Sequence, residues 1–194
     1  MKVVLQRVKS ASVSVDGKLI SSIGKGVLAF AAVSKNDTME DALKSASKLL
    51  KVRLWDDFED GKEKRWQKSV QDVGGEILCV SQFTLLASTK KARPSFHASA
   101  EPAKGKELYT AFFKRVQELY EADKVKDGIF QAMMDVALIN DGPVTLEIDT
   151  DPPPLDLPKD PSSTSFKGKV NLEDLGEELK KFSAEFKLPA ELLE

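Results

Sequence analysis

Three polar residues interrupt an otherwise apolar stretch in the middle of the chain. The stretch has the sequence Val80-Ser81-Gln82-Phe83-Thr84-Leu85. Burying a hydroxyl or an amide without a hydrogen-bond partner costs about 1–3 kcal/mol. Simple strand alternation, with Ser81 and Phe83 on one face, would accommodate these residues. The alternative is a strand end that presents backbone N–H groups and a hydroxyl to a substrate.

A second unusual segment lies sixty residues further on, at Asn140-Asp141-Gly142-Pro143-Val144-Thr145. Its first four residues are a strong turn signal, and a tight hairpin turn is the simplest interpretation. A Gly-Pro bond can also be cis, at a cost of about 0.5–1 kcal/mol. Such a bond would turn two carbonyl oxygens to one side, where they could hold an ammonium group.

Residue counts exclude several common mechanisms. The chain has one cysteine, Cys79, and one histidine, His97, which cannot form an intrachain disulfide or a Cys/His zinc site. Cys79 lies in an apolar run and is predicted to be a core residue. A Ser-His-Asp triad would have to use His97, which lies in a polar loop. We therefore expect chemistry without a conventional acid–base pair, and no cofactor or metal is implied.

Composition and the N-terminus are typical of a soluble globular protein, and we predict a cytosolic location. Of 194 residues, 41% are hydrophobic and 31% are charged. No apolar stretch approaches the roughly 18 residues of a membrane span, and the N-terminus becomes polar too early for a signal peptide. The net charge is −2, made up of +2 in residues 1–150 and −4 in residues 151–194. A charge of +2 is too mild to indicate nucleic-acid binding by itself, but it allows a basic patch.

The element pattern predicts an α+β fold with mostly antiparallel strands. Ser10 to Val15 alternate, and Asp16-Gly17 favours a two-residue hairpin turn. Thr38 with Asp41 predicts a capped helix start. The predicted order is βββ-α-β-α-ββ. The later elements in this order are a strand at about 76–86, a helix at 101–121, and two closing strands at about 132–139 and 144–149.

The C-terminal part has a different composition. Residues 151–165 contain five of the nine prolines, and we predict a linker over 151–170. Apolar residues from Leu172 to Phe186 then recur at helical spacing, which predicts an amphipathic helix within 171–194. That helix could dock on its own body or bind a protein partner.

Taken together, the two unusual segments resemble the signature pair of the D-aminoacyl-tRNA deacylases. Ser81-Gln82-Phe83-Thr84 matches the first signature, and the segment from Asn140 to Thr145 matches the second. Four shorter matches support it: Gln6-Arg7-Val8, Ala11-Ser12-Val13, Asp72-Val73-Gly74-Gly75-Glu76 and Arg93-Pro94-Ser95-Phe96. The resemblance covers most of residues 1–150. It implies a barrel-like homodimer that hydrolyses the ester between tRNA and a D-amino acid.

The resemblance also implies a role for each site residue. The carbonyls of Gly142 and Pro143 would enter the other subunit's pocket and capture the substrate's α-amino group, excluding an L side chain. Arg7 would hold that loop in place. Backbone N–H groups near Phe83 and Thr84 would stabilise the oxyanion. The remaining predicted catalytic and substrate-binding residues are Ser81, Gln82, Asn140 and Thr145.

Threonine is a poor nucleophile without a base, and no base is evident near Thr84. The resemblance instead implies water attack assisted by the 2′-hydroxyl of the terminal adenosine. Because glycine has no side chain to reject, glycyl-tRNA mischarged on tRNA-Ala is an expected additional substrate.

Some residues depart from the family pattern or carry other interpretations. Where the family often has two arginines, this chain has Ala92-Arg93, although Lys90 and Lys91 could compensate in contacting the tRNA backbone. Trp66 is interpreted as a packing residue. One alternative function is the sister deacylase that clears L-alanine from mismatched tRNA, against which the first motif argues. Another is a nucleic-acid-associated or protein-interaction regulator that uses the C-terminal extension.

Overall fold

The structure is a computed structural model that describes residues 1–59 and 61–151. The predicted C-terminal helix (171–194), and all of the predicted linker (151–170) except Asp151, lie outside the described residues. The strands are β1 (Lys2–Val15), β2 (Lys18–Ile23), β3 (Gly26–Ala32), β4 (Arg53–Glu59), β5 (Lys62–Ser69), β6 (Glu76–Ser81), β7 (Val125–Asp127) and β8 (Asp135–Asp149). Within the described residues, the α-helices are α1 (Met39–Lys51) and α2 (Pro102–Leu119).

The long strand β1 organises the main sheet. One of its edges pairs first with β3 and then with β2, and its other edge pairs with β8 over almost its whole length. The turn between β1 and β2 is formed by Asp16 and Gly17, with φ of 49° and 74°. Two positive φ angles between paired Val15 and Lys18 are those of a type I′ turn, which confirms the predicted hairpin.

The fold is α+β, as predicted, and most of its strand pairs are antiparallel. Among the described residues only β3–β6 and β6–β7 pair in parallel. The hydroxyl of Ser21 in β2 donates to the carbonyl of Asp127 in β7 at 2.8 Å. This bond joins two distant strands of the sheet, which therefore curls into a nearly closed, barrel-like layer.

Both helices bury one face against the sheet. Thr38 and Asp41 form the predicted capping box at the start of α1. The core between helices and sheet includes Ala46 and Leu49 from α1 and Phe112 from α2, each at most 1% exposed. Within the described ranges, no helix is long and apolar enough to cross a membrane.

Strands β4 and β5 form an antiparallel hairpin that was not predicted from the sequence. Charged residues dominate β5, and most of its residues are exposed, so that no apolar alternation marks it. The interpretation of Trp66 as a packing residue is wrong, since its side chain is 49% exposed. The short strand β7 was also missed, because three residues are too few to give a periodic signal.

Two predicted elements at the site need correction. The predicted strand at 76–86 ends at Ser81, and a 3₁₀ turn follows at Phe83–Leu86. The two closing strands are one continuous strand, β8, so that Asn140 to Pro143 do not form a hairpin turn. Strand β8 continues through this segment because β1, with 14 residues, pairs with β8 on both sides of it.

Candidate active site

A cleft of about 690 Å³ opens where β6 ends. The first signature segment forms one wall, the first turns of α2 form another, and the segment from Phe130 to Met134 forms the third. Its lining is mostly apolar, and the rings of Tyr109 and Phe130 contact each other in a tilted arrangement, with centroids 5.7 Å apart and planes at 40°. A mostly apolar cleft with a few polar groups at one end is typical of a small-molecule or cofactor site.

The first motif lines the cleft where β6 ends and leaves two of its backbone N–H groups outside the local hydrogen-bond pattern. The N–H of Gln82 donates to the carbonyl of Ala31 at 2.8 Å, which is the last link to β3. The chain then turns, and the first bond of that turn runs from Leu85 N–H to the carbonyl of Gln82 at 3.1 Å. The N–H groups of Phe83 and Thr84 come before the first hydrogen bond of the turn. They therefore have no backbone acceptor within the turn, as is usual for the first N–H groups of a helix. They can therefore donate to an oxyanion in the cleft.

The side chains of the first motif are partly organised among themselves. The side-chain amide of Gln82 donates to the hydroxyl of Thr84. Ser81 is half-buried at the end of β6 and lines the cleft with them. The hydroxyl of Thr84 thus accepts a hydrogen bond from a neutral amide, which is not a base. This arrangement orients the hydroxyl without activating it as a nucleophile.

Tyr109, which lines the cleft, and the buried Cys79 are both held in their neutral forms. The hydroxyl of Tyr109 donates to Asp127 Oδ1 at 2.5 Å, and burial raises the pKa of Tyr109 well above its ordinary value. Burial likewise raises the pKa of the Cys79 thiol, which confirms that Cys79 is an inert core residue. His97 Nδ1 lies 3.0 Å from Ser95 Oγ.

No group of three or more His, Cys, Asp or Glu side chains within the described parts of the chain is arranged to hold a metal ion. Tyr109 and Phe130 line the cleft, and Asp127 binds Tyr109, but none of the three was predicted from the sequence. Tyr109 lies on the apolar face of α2 and carries no separate signal. Its contact with Asp127 joins residues 18 positions apart, which periodicity cannot detect.

The second motif forms a bulge in β8. Gln6 pairs with Thr145, and Val8 pairs with Asn140, so that residues 141–144 all lie opposite Arg7. The peptide bond between Gly142 and Pro143 is cis. The excess residues leave the ladder, and Gly142 and Pro143 are exposed. The bulge thus presents main-chain atoms to the outside of the molecule.

Arg7 contacts the bulge from the opposite strand. Its Nε donates to the carbonyl of Asp141 at 2.9 Å and lies 3.2 Å from Asp141 Oδ2. Its Nη1 donates to the carbonyl of Leu54 in β4. The guanidinium therefore ties β1, β4 and the bulge together. A guanidinium has several N–H donors in fixed directions, whereas the lysine ammonium is a single charged group that could not make all of these contacts.

Only glycine fits the first position of the exposed pair. Gly142 has φ of 132°, a conformation that L side chains rarely adopt. A Cβ atom there would lie 2.9 Å from Val144 Cγ2 and 3.3 Å from a guanidinium nitrogen of Arg7. Asn140 precedes the bulge, and its side-chain amide nitrogen is buried without a hydrogen-bond partner among the described residues. The hydroxyl of Thr145 accepts a bond from Gln6 at 3.5 Å.

The two motifs do not form one site within a single chain. Ser81 to Thr84 line the cleft, whereas none of the described residues that line it belongs to the segment from Asn140 to Thr145. One chain therefore holds a cleft lined by the first motif and, separately, an exposed bulge held by Arg7.

Comparison with known proteins identifies the class. The family model described as D-Tyr-tRNA(Tyr) deacylase matches residues 4–149, which is most of the chain. The chain belongs to this family of ester hydrolases.

Its relatives are similar over the described body. The D-aminoacyl-tRNA deacylase of Yarrowia lipolytica is 49% identical over 152 residues, covering 77% of this chain and 97% of that protein. The D-aminoacyl-tRNA deacylase of Aquifex aeolicus is 50% identical over 151 residues, covering 77% and 98%. The solved structure of a protein named c-Myc DNA Unwinding Element Binding Protein is 41% identical with a TM-score of 0.73, covering 78% and 100%. Another, of a probable eukaryotic D-amino acid tRNA deacylase, is 20% identical with a TM-score of 0.64, covering 76% and 97%, and shares the fold.

Proposed function

We propose that this chain hydrolyses the ester that links a D-amino acid to the 3′ end of tRNA. The observation that carries the proposal is the cleft in which the N–H groups of Phe83 and Thr84 meet an oriented hydroxyl and amide. The names of the relatives from Yarrowia lipolytica and Aquifex aeolicus support the same activity. A water molecule attacks the ester carbonyl, and the two N–H groups stabilise the resulting oxyanion. The ribose oxygen then leaves, releasing tRNA and a free amino acid.

The base for this reaction comes from the substrate in our proposal. Thr84 accepts a hydrogen bond from Gln82, and no ionisable side chain among the described residues is hydrogen-bonded to its hydroxyl. We therefore assign the assistance of water attack to the 2′-hydroxyl of the terminal adenosine. Thr84, Gln82 and Ser81 shape the site around that ribose and the ester.

Selection of the D-enantiomer requires a second copy of the chain. Gly142 and Pro143 are exposed and lie outside their own cleft, so we propose that they enter the cleft of a partner in a homodimer. Their carbonyl oxygens would accept hydrogen bonds from the α-ammonium group. With the ammonium and ester fixed, an L side chain would collide with the bulge. Selectivity then comes from exclusion, so that many D-amino acids and glycine are accepted.

The remaining residues of the second motif support the bulge. Arg7 fixes Asp141, while Asn140 and Thr145 flank the excess residues in the ladder. We also place the activity in the cytoplasm, because the proposed substrate is an intermediate of translation.

Hydrolysis of D-Tyr-tRNA and L-Tyr-tRNA by the purified full chain tests the activity. We expect release of tyrosine from the D-ester and a rate close to spontaneous hydrolysis for the L-ester. Glycyl-tRNA serves as the third substrate and should also be cleaved. Cleavage of neither tyrosyl ester above background would refute the proposal, and equal cleavage of both would refute the chiral selection.

A second candidate function is binding to DNA, which the name of the 41% identical DNA unwinding element binding protein supports. The charge distribution does not favour the C-terminal segment for this role, since residues 151–194 carry a net charge of −4.

Anisotropy of a labelled DNA duplex with the full chain tests direct binding. Comparison with a chain that ends at residue 151 would show whether the extension contributes. Unchanged hydrolysis by the shorter chain would make the extension an accessory.

A further inference from the structure

Two phenylalanine rings form an exposed pair at the rim of the cleft. The Phe83 side chain is 57% exposed and the Phe96 side chain is 38% exposed. Their centroids are 5.1 Å apart, and their planes meet at 68°, an edge-to-face arrangement. The proposed hydrolysis uses the backbone of Phe83 and leaves both rings without a role.

The loop that carries Phe96 is held at several points. Ser88 and Ser95 exchange backbone hydrogen bonds of 2.8 and 3.0 Å, which close the loop at its base. Ala100 N–H donates to the carbonyl of Val33 at 2.9 Å, and Ser99 Oγ donates to the carbonyl of Phe83 at 3.3 Å. Because Phe83 and Ser99 both line the cleft, the ring pair is continuous with it.

The same loop is basic. Its tip carries Lys90, Lys91 and Arg93, and no acidic residue occurs between Ala87 and Ala100. All three side chains are exposed, and none forms an ion pair with another described residue. Aromatic rings beside unpaired cations are the combination that proteins use to bind single-stranded nucleic acid.

We propose that the Phe83–Phe96 pair is a stacking platform for the base of the nucleotide that precedes the terminal adenosine. This inference rests on the proposed function, which places the ester and the terminal adenosine in the cleft. The strand leaving the cleft must cross its rim, where the two rings lie. The cations of Lys90, Lys91 and Arg93 then face the phosphates of the next nucleotides.

Comparing a full substrate with a minimal one tests the platform. D-Tyr-tRNA has the preceding nucleotide, whereas the D-tyrosyl ester of adenosine lacks it. We expect Phe96→Ala to lower kcat/KM for D-Tyr-tRNA about tenfold, mainly through KM, as loss of one stacked base would. The adenosine ester should change less than twofold. Phe96→Tyr, which keeps the ring, should restore the tRNA rate.

A matched control is Phe58→Ala, which removes another exposed phenylalanine, 74% exposed, outside the cleft lining. It should leave the ratio of the two kcat/KM values unchanged. An equal loss on both substrates for Phe96→Ala would overturn the platform, and so would no loss on tRNA.

Binding of uncharged tRNA separates this inference from the proposed function, because it needs no hydrolysis. Phe96→Ala should raise its Kd about tenfold. An unchanged Kd would overturn the platform whatever the catalytic result.

Discussion

The hydroxyl of Thr84 lies at the polar end of the cleft, where a hydrolase could use a covalent nucleophile. Its hydrogen-bond partner is the amide of Gln82, a neutral group that cannot remove its proton. Tyr109 and Cys79 are buried, and burial raises the pKa of each, so that neither is expected to ionise at neutral pH. At the scale of single residues, we therefore propose a site that stabilises charge and leaves the base to the substrate.

Thr84→Ala therefore distinguishes an orienting group from a nucleophile. We expect kcat for D-Tyr-tRNA to fall about tenfold or less, since the proposed mechanism assigns the attack to water assisted by the 2′-hydroxyl. Loss of a true nucleophile costs on the order of 10⁶ in kcat. Single-turnover hydrolysis measures the effect, with Thr84→Ser as the control that keeps the hydroxyl. A loss of about 10⁴ or more in the alanine variant alone would indicate covalent catalysis.

At the scale of elements, local signals explain which parts of the fold could be predicted. The turn at Asp16-Gly17 and the capping box of Thr38 and Asp41 depend on neighbouring residues, and the sequence predicted both. The course of β8 depends on β1, more than a hundred residues away, so that the sequence suggested a hairpin instead of a bulge. The position of Tyr109 in the cleft has the same cause, since it depends on long-range packing. The residue types of both motifs were recognisable, but their separation in space was not.

The capping box gives a stability prediction with a defined pH dependence. Hydrogen bonds from Thr38 lower the pKa of Asp41 from 3.8 to about 2. A lowered pKa stabilises the fold above the unfolded value, and this contribution is lost as the pH falls from about 4 toward 2. Thr38→Ala should cost about 1 kcal/mol at pH 7 and progressively less below pH 4.

Urea unfolding from pH 7 down to pH 3 measures this difference. Ser47→Ala is a suitable control, because Ser47 lies within α1 and its hydroxyl bonds only the Leu43 carbonyl at 3.1 Å. Its effect should be small and independent of pH. A constant difference between wild type and Thr38→Ala over the whole range would contradict the role assigned to Asp41.

At the scale of the whole molecule, one chain holds the two halves of the proposed site in different places. The cleft is lined by Phe83 and Thr84, the proposed oxyanion donors, and the exposed bulge on β8 is not part of its lining. A two-fold symmetric dimer would bring each bulge to the other chain's cleft and form two identical sites. Catalysis and chiral selection would then depend on residues of different subunits.

Mixing two inactive variants tests this arrangement most directly. Gly142→Ala distorts the bulge, because the added Cβ would lie 2.9 Å from Val144, and it leaves the cleft intact. Ala132→Trp fills the cleft and leaves the bulge intact. Each variant alone should hydrolyse D-Tyr-tRNA poorly. After subunit exchange at equal concentrations, half of the dimers are mixed, and each has one complete site.

We therefore predict that the mixture regains about a quarter of the wild-type rate of D-Tyr-tRNA hydrolysis. Dimer content and thermal unfolding of both variants, measured alongside, confirm that the subunits fold and exchange. A mixture no more active than the average of the two separate variants would contradict the account, and the site would then have to be complete within one chain.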